Sequence, residues 1–108
     1  MKELTVKQLE DYLALKYKDT GITESLFMKL VEEIGEVAEV LNQIQGRKKK
    51  PLDNSLANEL VDVIHYTFAI AALNNIDLEK AIIEKDKDGS RRYNQPPNLS
   101  EFLSDNLA

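Results

Sequence analysis

The chain has no cysteine, a single histidine and four glycines. Without thiols there is neither a disulfide nor a thiolate zinc site, a composition that suits a reducing compartment. None of the glycines belongs to a phosphate-cradling loop and no serine stands in a nucleophile elbow, so neither chemistry finds support. Strand signals and internal repeats are missing too. The opening Met1-Lys2-Glu3-Leu4 lacks the long apolar region of a signal peptide. No uncharged run reaches about 18 residues, the length a membrane-spanning helix needs. A soluble, cytoplasmic protein without a membrane partner is expected.

What is present is acidic and helical. The 108 residues are 43% hydrophobic and 31% charged, which fits one globular domain with a modest core. Acids outnumber bases 19 to 14, for a net charge of -5, and that balance argues against a long nucleic-acid partner.

Thr5 caps a first helix from Val6 to Lys18, with Val6, Leu9, Leu13 and Tyr17 at steps of three and four. Asp19-Thr20-Gly21 breaks it. Thr23 caps a second helix to Gln45-Gly46, where Phe27, Leu30, Ile34, Val37, Leu41 and Ile44 mark a bundle seam. Gly35, in its middle, costs about 1 kcal/mol against alanine. A close-approaching backbone or ligand would explain it, and so would a tolerated defect. The basic run Arg47-Lys48-Lys49-Lys50-Pro51 reads as a solvated turn.

Asp53 or Ser55 caps a third helix that reaches Asn74, and Leu60–Leu73 is apolar nearly all round. A chain this short can hardly bury such a helix alone, so a partner subunit is inferred. Asp77 caps a fourth helix from Leu78 to about Asp88, with Lys85, Lys87, Arg91 and Arg92 gathered near its end. After the linker Asn94–Asn98, Ser100 caps a short docking tail bearing Phe102, Leu103 and Leu107. The fold expected is all-α: a four-helix-bundle-like subunit over residues 1–93, a linker and helical tail over 94–108, and assembly into a homo-oligomer.

Chemistry concentrates in two acid pairs. Glu33 with Glu36, and Glu59 with Asp62, are each three residues apart on one helix and therefore about one turn apart on one face. Four acids converging between two packed helices would form an oxygen cage for a hard divalent cation. Asp62 is the only residue charged at neutral pH in an otherwise apolar run, and a buried carboxylate must protonate, pair or bind a metal. His65 follows Asp62 by three residues, but di-iron bundles need a Glu-x-x-His on each of two helices, and this histidine reads as hydrogen-bonded within the packed helix.

Glu32-Glu33-Ile34-Gly35-Glu36 followed by Glu59-Leu60-Val61-Asp62 resembles the EExxE…ExxD pattern of the all-α nucleoside triphosphate pyrophosphohydrolases, and the chain looks like one of the MazG-like group. The resemblance runs from about Phe27 to Tyr93. It implies a Mg²⁺-dependent enzyme, a dimer or tetramer, that splits nucleoside triphosphates into monophosphate and pyrophosphate. By position in the motif, Glu33, Glu36, Glu59 and Asp62 are the metal ligands, and Glu32 positions or activates water. Lys85, Arg92 and Tyr93 match the segment that contacts phosphates, while Gly89 stands where asparagine is common. That departure keeps a second reading open: a non-catalytic helical oligomer that binds metal or nucleotide.

Overall fold

The computed structural model describes residues 3–46 and 55–105, and the Arg47–Pro51 turn, Asp53 and Leu107 lie outside them. Among the described residues the chain is all-helical, as expected: α1 (Val6–Tyr17), α2 (Thr23–Ile44), α3 (Leu56–Leu73), α4 (Leu78–Arg92) and α5 (Leu99–Asp105). Side chains start most of these helices. The Thr5 hydroxyl accepts from the Gln8 N–H at 3.1 Å, and the Gln8 side chain accepts from the Thr5 N–H at 2.9 Å, a reciprocal box. Ser55 and Asp77 cap α3 and α4 by accepting from Asn58 and Lys80 N–H at 3.1 and 3.0 Å.

Three local expectations are corrected. Thr23 is the first residue of α2 and not its cap. Its hydroxyl accepts from the Asn74 amide at 3.1 Å and so ties the start of α2 to the end of α3. α4 continues past Asp88 to Arg92, carrying Gly89 and Ser90 inside it. α5 is opened by Asn98 instead of Ser100, because Asn98 and Glu101 each accept from the other's N–H, at 2.8 and 3.0 Å.

α2 and α3 form an antiparallel hairpin, and α1 packs on the other side of α3. The turn between α1 and α2 closes on Gly21, where a Cβ would stand 2.7 Å from Leu73 Cδ1 and 2.9 Å from the Tyr17 carbonyl, so only glycine fits. Leu13, Leu26, Val40, Ala69 and Ala71 make the buried core. On α2 the face against α3 is Leu26, Leu30, Glu33, Val37 and Val40, all buried or half-buried. The seam read from the sequence mixed this face with a second one. Phe27, Ile34, Leu41 and Ile44 are exposed, Ile34 to 52%. The helix is apolar on two adjoining sides, and α3 covers one of them.

α3 is likewise only half covered: Leu60, Val61 and Ile64 face outward, Val61 at 62% exposure. By length and a mean hydropathy of 1.3 over its 18 residues, α3 could cross a bilayer. Two of those residues, however, are carboxylates that meet Glu33 of α2. α4 packs on α1 and α5, so the expected four-helix bundle does not close within the chain. The radius of gyration is accordingly 17.0 Å, against about 13 Å for a compact chain of this length.

Candidate metal centre

The α2–α3 register decides which acids meet. With Thr23 opposite Asn74 at one end, Glu33 comes to lie against the first turns of α3, where Glu59 and Asp62 share a face. One carboxylate oxygen from each of Glu33, Glu59 and Asp62 lies within 4.8 Å of the other two, and all three side chains are half-buried. The cluster is electrostatically unsatisfied. Burial pushes the Glu33 carboxyl up from 4.5 to about 7, helped by its hydrogen bond to Glu59 and by the charge of and hydrogen bond to Asp62. A proton holds this centre together where a cation would serve better. Among the described residues no ion pair reaches the three acids. The donor set, all carboxylate oxygen with no nitrogen or sulfur, fits a hard divalent ion such as Mg²⁺.

Of the other residues singled out in the sequence, Glu36 lies one turn along α2, exposed and outside this group. Glu32 is exposed and pairs with Lys29 at 3.5 Å. Lys85, Arg92 and Tyr93 are exposed on α4, and Arg92 reaches only to Asp88, at 3.4 Å. Since α4 leans on α1 and α5, the chain by itself does not bring these three to the acids.

His65 is the hydrogen-bonded residue its position suggested. Its Nε2 lies 2.7 Å from the Tyr17 hydroxyl, and its ring meets that of Tyr66 edge-on at 4.9 Å. Burial and then the Lys16 charge push His65 below the usual imidazole range, with Asp62 opposing, while burial raises the Tyr17 phenol. This hydrogen bond between the phenol and the imidazole locks α1 to α3 one turn beyond Asp62. Sequence reasoning passed over Glu10, which is buried and accepts from the Glu79 N–H at 2.9 Å, thereby holding the first turn of α4. A carboxylate on the inward stripe of α1, between Leu9 and Leu13, was its one signal.

The chain is thus of the all-helical class, with a central hairpin that gathers three carboxylates, and comparison with known proteins gives the family. The MazG nucleotide pyrophosphohydrolase domain matches residues 22–95, most of the chain, and this protein belongs to that family. Two crystal structures of iMazG from Vibrio DAT 722 resemble it. The form described as Ntag-iMazG is 29% identical with a TM-score of 0.63, covering 85% of this chain and 100% of that one. The Ctag-iMazG form is 28% identical with a TM-score of 0.61, covering 82% and 99%. No curated protein matches the chain.

Proposed function

We propose that the chain is a Mg²⁺-dependent nucleoside triphosphate pyrophosphohydrolase that works as a homo-oligomer. The observation that carries this reading is the convergence of Glu33, Glu59 and Asp62 in a chain of the MazG family. Mg²⁺ bound there, with Glu36 completing the ligand set, would offset the charge of the triphosphate and acidify the attacking water. Glu32 takes the proton of that water at its carboxylate, leaving Lys29 to do so. Attack falls on the α-phosphorus, the α–β bridging P–O bond breaks, and pyrophosphate departs while the nucleoside monophosphate remains. Lys85 and Arg92 hold phosphate oxygens, and Tyr93 lies against the nucleotide.

Exposure supports the oligomer. Phe27, Val31, Ile34 and Leu41 on α2, and Leu60, Val61 and Ile64 on α3, are large apolar side chains left exposed, of the kind a second copy buries. Such a copy would also supply what one chain lacks, a set of bases near its acids. Gly35 supports the same reading, since among the described residues a Cβ there would meet nothing within 4 Å. A glycine kept for a close neighbour would then be kept for one outside the described residues. Localisation in the cytoplasm belongs to the same proposal.

The deciding experiment is a panel of nucleoside triphosphates incubated with Mg²⁺. Pyrophosphate as product is expected. Orthophosphate would move the reaction to another phosphatase chemistry. Saturable Mg²⁺ binding without any product would favour the non-catalytic oligomer, for which Gly89 in place of the usual asparagine is the main support.

A further inference from the structure

α4 is the least supported of the four long helices, with no buried residue. Two carboxylates hold it. Glu10 of α1 takes the Glu79 N–H in its first turn. Asp86, half-buried at its middle, takes the Leu99 N–H that begins α5. Around this second tie Val6 of α1, Ile82 and Ile83 of α4, and Leu99 and Leu103 of α5 line a shared apolar cleft of about 210 Å³. The reciprocal Asn98–Glu101 box and the Phe102 N–H to Asn98 carbonyl bond at 2.9 Å shape α5 from within. A helix of seven residues does not stand on local propensity alone, so its order comes from α4. The support is mutual, because whatever fixes α5 on α4 equally fixes α4 under α5. The residues matched by the MazG domain end at 95, so α5 lies beyond them.

We propose that Asp86 is a positioning residue, clamping α5 across α4 so that Lys85, Arg92 and Tyr93 are held in place for the substrate. The functional half rests on the reading that those three contact the triphosphate. Asp86 itself touches no reacting atom. It neighbours Lys85 directly, and Arg92 and Tyr93 stand about two turns on along the same helix.

The test uses the full chain and three variants, Asp86→Ala, Leu103→Asp and Asp86→Asn, read by amide hydrogen exchange and by Mg²⁺-dependent turnover of nucleoside triphosphates. Losing a charged hydrogen-bond acceptor corresponds to roughly a tenfold change in local opening. In Asp86→Ala and Leu103→Asp, exchange over residues 85–93 is expected to quicken about tenfold, with α2 and α3 unchanged. KM should rise about tenfold while kcat stays within about twofold, because the acids are untouched. Asp86→Asn keeps an acceptor oxygen and should restore both readouts. Unchanged exchange over 85–93 in both disrupting variants would overturn the clamp, as would exchange quickened equally in every helix. Loosened α4 with an unchanged KM would overturn the positioning role. If α4 loosens as expected but the parent chain turns over no nucleotide, the clamp stands and the pyrophosphohydrolase reading falls.

Discussion

On α2 and α3, three carboxylates are forced to within 4.8 Å of one another, while on α4 the bases Lys85 and Arg92 stand out in solvent. The first arrangement is costly, since like charges gathered in a half-buried hairpin hold a proton on Glu33 well above its ordinary range. The second costs little: Arg92 makes an exposed pair with Asp88, and among the described residues neither base pairs with the three acids. Packing imposes the difference. Leu26, Val37 and Val40 press α2 onto α3 around the acids, whereas no residue of α4 is buried. Acids gathered in one place and bases held apart from them make two halves, which the proposed second copy would join.

The largest expected effect breaks the acid half. Asp62→Asn keeps the shape and removes one charge of the cluster. Turnover should fall by at least about a hundredfold, since even partners behind a metal ligand are worth 10- to 100-fold. The rise in melting temperature caused by Mg²⁺ should vanish with it. Full activity with an unchanged Mg²⁺ response would place the site elsewhere.

Next comes the surface that would join the halves. Ile34→Asp or Ile64→Asp puts a charge on the exposed apolar face without touching the core. Light scattering should then show a single chain where the parent shows an oligomer. Activity should drop with the mass, because the bases no longer reach the acids. A parent protein that is already monomeric at micromolar concentration would end this proposal.

The base half predicts less. Arg92→Ala and Lys85→Ala should each raise KM about tenfold and leave the melting temperature unchanged, as both side chains are exposed. Should kinetics stay the same in both, these bases serve only to complement a helix C-terminus, worth about 0.3–1 kcal/mol.

The acid half also predicts a pH dependence. Glu33 is raised from 4.5 to about 7 in the folded chain, so between those values the native state binds more protons than the unfolded one. Stability therefore falls as pH rises through that window, and above it the cost is fully present. With chelator, the melting temperature should be lower at pH 8 than at pH 5, and Glu33→Gln should flatten the slope. A melting temperature that does not change between those two pH values would contradict the raised Glu33.

The Glu59–Asp62 pair was legible because helical spacing alone puts both on one face, and an acid amid apolar residues must find a use, whereas Glu36, paired with Glu33 by the same spacing, stands outside the cluster. The family followed from the same residues. Which face of α2 turns inward was not legible. Phe27-x₆-Ile34-x₆-Leu41 and Leu26, Leu30, Val37, Val40 are both apolar stripes, and only the partner helix selects between them. The place of α4 was hidden for a related reason. Its docking depends on Glu10, whose one sequence signal is its place on the inward stripe of α1, and on Asp86, which reads as a surface charge until it is seen to hold a helix start.

The smallest effect is the sharpest probe of the joint. Gly35 sits in mid-helix, where alanine is favoured by about 1 kcal/mol. The described residues give no reason for glycine, because among them a Cβ would meet nothing within 4 Å. At 100° per residue it lies at the edge of the exposed stripe formed by Phe27, Val31, Ile34, Ala38 and Leu41. If a second copy packs on that stripe, a methyl at position 35 crowds the approach of its backbone. Gly35→Ala should then weaken association, shifting the dissociation midpoint to higher protein concentration. In the Ile34→Asp background, where no partner is bound, the same change should raise stability by about 1 kcal/mol. The opposite signs in the two backgrounds separate a glycine kept for a neighbour from one merely tolerated. Stabilisation in both would mean that nothing approaches Gly35, and that the interface lies on another face.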